Sequence, residues 1–151
     1  MTGATGVTGP TAPNVTANYL RDFGASFSTN SFASTTFPLT NILQNGTAIT
    51  PGPGGSVNLA ANQAYYVDYE VDAEVPPATN AAASLTLNGV LIAGTGAPFN
   101  NPTGGLVYKT NLSASAIIET GANGGNLSLR VNSSGNVTTF SEATVSVFKL
   151  A

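Results

Sequence analysis

The chain has 151 residues, 4 basic and 7 acidic side chains, a net charge of −3 and only 7% charged residues, against about 25% in an average soluble protein. It has no His and no Cys, which excludes Ser-His-Asp and Cys-His nucleophile systems, His-based metal sites, disulfides, zinc ribbons and iron–sulfur clusters. Four scattered basic residues cannot neutralise a phosphate backbone, so nucleic acid is not an expected partner.

The length suits one domain, and folding at this size hides roughly 70% of the surface that the unfolded chain exposes. The stretch from Val75 to Tyr108 carries no charge. Gly, Pro, Asn and Thr interrupt it every few residues, so it falls short of the ~18–20 apolar residues of a spanning helix, and no membrane partner is expected. Residues 2–17 hold no basic patch followed by an apolar run, so no signal peptide is expected in them.

Glycine falls at positions 3, 6 and 9, and Ala12 breaks the period. The triplets around Gly3, Gly6 and Gly9 read as the end of a collagen-like Gly-X-Thr stalk, where only glycine fits at the crowded axis of three wound chains. A short Gly/Thr linker is the alternative. We therefore divide the chain into a stalk end at residues 1–13, expected to be disordered or extended, and a globular domain at residues 14–151.

From Asn14 onward the pattern is that of strands. Tyr19, Phe23, Ala25 and Phe27 alternate with Asp22, Gly24, Ser26 and Ser28, with Arg21 interrupting the apolar face. Phe37 to Leu43 suggests a short or edge strand, and Asn45-Gly46 is a hairpin-turn signal. Residues 51–55 alternate Pro and Gly and read as a loop. Ala64 to Val75 is a long alternating strand stopped by Pro76-Pro77. Ala83 to Leu87, Asn88-Gly89 and Val90 to Ala93 form the clearest hairpin. Gly94 to Gly104 reads as a loop, and Gly105 to Thr120 as a long strand or hairpin arm. Leu127, Leu129 and Val131 mark another strand. Val137 to Leu150 closes the chain with a strand whose apolar residues Val145, Val147, Phe148 and Leu150 are the expected assembly core, lying in the domain core or on an oligomer axis.

Helix formers are scarce, and β-branched and aromatic residues fill the segments. About eight to ten short strands with Gly, Pro and Asn turns predict an all-β antiparallel sandwich or jelly roll.

Asp68, Glu70, Asp72 and Glu74 hold four of the seven acids at a spacing of two. On a strand they share one face with Tyr66, while Tyr65, Val67, Tyr69, Val71 and Val75 face the core. Successive carboxylates then stand about 6.5–7 Å apart, and in water each repulsion is only about 0.6 kcal/mol, so an exposed ladder is tolerable. The functional alternative is a calcium site built from those four acids, since hard cations prefer clustered carboxylate oxygens. A regular strand does not wrap an ion, which favours a solvated face and no bound metal.

No catalytic constellation emerges. Gly94-Thr95-Gly96 is a fragment of a dinucleotide fingerprint, but Phe99 stands in place of its third glycine and no helix follows. Asp68 and Glu70 lie side by side on one strand rather than opposed across a cleft, as glycoside hydrolysis requires. We expect no enzyme activity and no cofactor.

Taken in order, the Gly3/Gly6/Gly9 triplets, the strand from Ala64 to Val71, the hairpin from Ser84 to Val90 and the ending from Ala143 to Leu150 resemble the BclA-like collagen-like exosporium glycoproteins of spore-forming bacteria. The resemblance covers most of the chain. It implies a jelly roll similar to tumour necrosis factor (TNF) and complement heads, assembled as a homotrimer in register with an N-terminal collagen-like stalk. It also implies the C-terminal part of a longer protein, extracellular on a spore exosporium or appendage tip. Such a head displays a surface structure; the alternative is a recognition or adhesion module that binds a glycan or host surface through its loops. The partners implied are two further copies of the chain, the stalk, and other spore-surface proteins or host glycans.

Overall fold

A side-chain period of two dominates the chain, and each long segment buries one face of that period. The computed structural model describes residues 18–102 and 104–150. The stub glycines Gly3, Gly6 and Gly9 lie outside the described residues. Twelve strands form among those described: β1 Tyr19–Thr29, β2 Thr35–Thr36, β3 Thr40–Asn45, β4 Ile49–Pro51, β5 Val57–Leu59, β6 Ala64–Val75, β7 Thr79–Leu87, β8 Val90–Leu91, β9 Ala97–Asn101, β10 Tyr108–Glu119, β11 Gly125–Ser134 and β12 Thr138–Lys149.

They make two antiparallel sheets. One has five strands in the order β10-β6-β12-β1-β3. The other has seven, with β4-β5-β11-β7-β8 in line, β2 on β11 and β9 on β7. The core lies between them. Tyr65, Val67, Tyr69, Val71 and Val75 of β6 and Phe140, Val145 and Val147 of β12 are buried together with Leu85, Leu127, Leu129 and Val131 of the opposite sheet. Burying each such side chain is worth about 1.5–3 kcal/mol.

Two tyrosines pin the layers together. The Tyr69 hydroxyl lies 2.8 Å from the Thr95 carbonyl and 3.0 Å from that of Ala83. The Tyr65 hydroxyl lies 3.1 Å from the Ala48 carbonyl and 3.2 Å from that of Ala60. Both phenols thus keep a partner inside an apolar core, as buried hydroxyls require.

Several expectations are corrected. Twelve strands replace eight to ten, because short segments such as β2 and β8 pair for only two residues each. The expected loop from Gly94 to Gly104 contains β9, which pairs with the first half of β7. Its Pro98 is tolerated because β9 pairs on only one side. Asn45-Gly46 turns the chain but joins no hairpin: β3 pairs with β1 in one sheet and β4 with β5 in the other. The long arm expected from Gly105 begins at Tyr108.

The largest correction concerns β1. Leu20, Asp22 and Gly24 face inward, not the expected row of Tyr19, Phe23 and Ala25. Gly24 fits because the Phe37 ring lies directly over it; an added Cβ would stand 2.3 Å from that ring. Farther along, Phe27 turns inward, opposite Phe140 and edge-on to Phe37 at 5.8 Å. The change of face coincides with a bulge in β12, where the register against β6 slips between Ser141 and Thr144 and Glu142 takes φ 49.

Candidate functional site

The outer face of the five-stranded sheet gathers the four ladder acids, Tyr66 and Phe148. Register places Ile117 of β10 beside Tyr66 of β6, Tyr66 beside Phe148 of β12, and Phe148 beside Tyr19 of β1. The Tyr66 and Phe148 rings lie 6.5 Å apart. With strands about 4.8 Å apart, this row crosses some 14 Å of sheet. Three of its members are open to solvent, with exposures of 70% at Ile117, 47% at Phe148 and 37% at Tyr66, while Tyr19 is half-buried.

The assembly-core residues therefore divide. Val145 and Val147 are buried between the sheets, whereas Phe148 points outward. Leu150 follows the strand and ties it back, its N–H donating to the Ala64 carbonyl at 2.8 Å. Neither Ile117 nor Tyr19 stood out as part of a row in the sequence, because cross-strand register is not written locally.

The acid ladder runs away from this row along β6. The strand alternates as the sequence predicts, with Tyr65, Val67, Tyr69, Val71 and Val75 inward and Asp68, Glu70, Asp72 and Glu74 outward. The four carboxylates do not converge. Asp68 and Glu70 bond toward β12, to Ser146 and to the Thr144 hydroxyl, the latter at 3.2 Å. Asp72 and Glu74 bond toward β10, to the Asn111 amide at 2.9 Å and the Lys109 ammonium at 2.5 Å. Between them the β12 bulge opens a shallow hollow of about 410 Å³ lined by Asp72, Glu74, Lys109 and Glu142. Among the described residues, no three acidic side chains gather around one point suited to a metal ion.

Electrostatics follow from this placement. Partial burial pushes the Asp68 carboxyl above its ordinary range, and neighbouring Glu70 adds to this, while Ser146 and Arg21 oppose it. The Lys109 ammonium is held above its ordinary value by its bond to Glu74. Asp22, on the inner face of the same sheet, is 2% exposed. Burial raises its carboxyl, and the Asn41 amide, donating at 3.1 Å, offsets part of the rise. Nothing local marks this acid as buried, because it alternates with aromatic residues on the face shared with Gly24, Ser26 and Ser28.

No family model matches the chain, and no curated protein matches it. Solved structures do. The Eiger TNF from S. frugiperda aligns with a TM-score of 0.66 at 12% identity, over 89% of this chain and 92% of that one. Murine APRIL aligns with a TM-score of 0.58 at 12% identity, over 88% and 98%. The PRD1 vertex protein P5 aligns with a TM-score of 0.57 at 12% identity, over 89% and 98%. The likeness at this identity is one of architecture: the chain is an all-β antiparallel sandwich with the TNF-like jelly-roll fold.

Proposed function

We propose that the chain is a non-enzymatic, trimerising head that caps a collagen-like fibre on the surface of a bacterial spore or its appendages. The observation that carries this reading is the row of exposed Ile117, Tyr66 and Phe148, continued by half-buried Tyr19. Contiguous exposed apolar side chains mark an association surface, and we assign two further copies of the chain as its occupants. In a threefold ring the contact is head-to-tail, so the β10 end of the row in one copy meets the β1 end in the next. The Gly3, Gly6 and Gly9 triplets support this choice, because a collagen helix needs three chains held in register. A globular trimer supplies that by raising the local concentration of the three stalks.

Light scattering at micromolar concentration tests the assembly. The expected mass is about 45 kDa, three times the 15.1 kDa chain. Changing Ile117→Ser together with Phe148→Ser should give a 15.1 kDa species with an unchanged far-ultraviolet circular dichroism spectrum. A monomeric parent would overturn the trimer. Immunogold labelling of intact spores tests the location, and labelling confined to the cell interior would overturn it. A recognition role gains separate support from a groove on the opposite sheet.

A further inference from the structure

The outer face of the seven-stranded sheet is built differently from that of its partner. Register lines up Asn100 of β9, Asn80 of β7 and Ser134 of β11 in one row, and Pro98, Ala82 and Asn132 in the next. Small Ala82 forms a floor between larger neighbours. Phe32 rises beside it at 79% exposure. Together these residues line a groove of about 420 Å³, within the range of about 300–1,000 Å³ common for small-ligand sites.

The Phe32 bend is held in place. The Ser133 N–H donates to the Ser31 carbonyl at 3.0 Å, and the Ser31 N–H donates to the Thr29 hydroxyl at 3.0 Å. The Asn132 amide reaches the Phe32 carbonyl at 3.5 Å. On the far side of the bend, Arg130 bonds the Ser34 carbonyl and, at 2.9 Å, the Thr36 hydroxyl. A lone exposed Phe is ordinary. Here the backbone that carries the ring is tied down beside a groove, so little backbone ordering opposes a ligand that stacks on it.

The polar rim is a chain of amides. The Asn100 amide donates to the Asn80 carbonyl oxygen, and the Asn80 amide donates to the Ser134 hydroxyl at 3.3 Å. Among the described residues, the side-chain oxygens of Asn100 and Asn132 accept no hydrogen bond. No charged side chain lines the groove, so nothing in it selects a phosphate, a carboxylate or an ammonium. Amides both donate and accept, as do sugar hydroxyls. One aromatic face, small apolar floor residues and a neutral amide rim match the two-sided chemistry of a pyranose, with its C–H face and its hydroxyl edge.

We infer that this groove binds a neutral pyranose, with Phe32 stacked on the sugar's apolar face and Asn80, Asn100 and Asn132 bonding its hydroxyls. The site lies on the sheet opposite the aromatic row, so it is independent of trimerisation. The test is nuclear magnetic resonance of the ¹⁵N-labelled full chain, titrated separately with the methyl glycosides of glucose, galactose, mannose and N-acetylglucosamine. At least one should shift the side-chain NH₂ signals of the three asparagines in a saturable way, with Kd on the order of 1 mM. Phe32→Ala should weaken that binding about tenfold, and Phe32→Trp should preserve it. Both variants should keep the parent's melting temperature and mass, because the ring is exposed. Absence of saturable shifts with all four glycosides would overturn the site, as would shifts that Phe32→Ala leaves intact.

Discussion

The two outer faces of the sandwich share one core but not one chemistry. Every charged side chain except Arg130 lies on a strand of the five-stranded sheet. That sheet also carries the aromatic row. The seven-stranded sheet turns Asn80, Ser84, Asn100, Asn126, Ser128, Asn132 and Ser134 outward, and its single guanidinium is engaged by Ser34 and Thr36. With so few charges in the chain, concentrating them on one layer leaves the other free of ionic selection. We assign the meeting of copies to the aromatic row, which stands apart from the acids along β6, and neutral polar ligands to the uncharged face.

The comparison breaks most severely at the centre of the charged sheet. Strand β12 pairs with both β6 and β1, and Val147 is fully buried. Deleting residues 147–151 removes that packing along with the Leu150 tie, and losses of this kind reach several kcal/mol. The expected outcome is no soluble folded protein, checked by circular dichroism and the soluble fraction; a truncated protein that melts like the parent would contradict it. A smaller break comes at Gly24, where an added methyl meets the Phe37 ring. Gly24→Ala should cost about 1–3 kcal/mol, read as a lower denaturation midpoint with an unchanged slope.

The buried charge sharpens the contrast through pH. Burial raises the Asp22 carboxyl above its ordinary 3.8, so the folded chain holds that proton more tightly than the unfolded chain does. Its contribution to stability is therefore complete below pH 3.8 and is lost as pH rises through the raised value. Asp22→Asn should raise the melting temperature at pH 7, and the advantage should vanish in acid. A variant that melts lower at pH 7 would mean that the carboxylate's bond to Asn41 outweighs its burial.

The smallest expected effect concerns the ladder. Its four carboxylates lean apart, two to β12 and two to β10. Millimolar calcium should leave the melting temperature unchanged. A rise of several degrees, abolished by Glu70→Gln with Asp72→Asn, would reassign the ladder to a cation.

Sequence pattern was most informative where contrast along the strand was strong. In β6, bulky apolar residues alternate with acids, and both faces were legible in full. In β1, aromatic residues occupy the outward face while Leu20, Asp22 and Gly24 face inward. That choice depends on Phe37, which comes from a distant segment and needs the space above Gly24. The β12 bulge also shifts the phase mid-strand, and no single-strand period anticipates it. Strand β9 was hidden by Pro and Asn, residues that an edge position tolerates. Of the outer face proposed for association, Tyr66 and the acids were legible as one surface, and Phe148 as a residue for assembly. Its union with Ile117 and Tyr19 required cross-strand register. The amide groove was illegible because its members come from three strands and a bend, and Asn is common throughout the chain.

The tyrosine pins give the molecule an optical gauge of its own integrity. The chain has 5 Tyr and no Trp, so near-ultraviolet absorbance belongs chiefly to phenols. Burial pushes the Tyr69 phenol up to about 12, and the Tyr65 phenol is also raised by burial. A buried phenol whose proton is held in the folded state loses its stabilising effect as pH rises through that value. Ionising Tyr69 also removes the proton shared with the Ala83 and Thr95 carbonyls, turning those contacts repulsive. Phenolate absorbance gained near pH 12 should therefore arrive together with parting of the two layers. An alkaline titration would thus read, without any added label, the moment at which the sandwich opens.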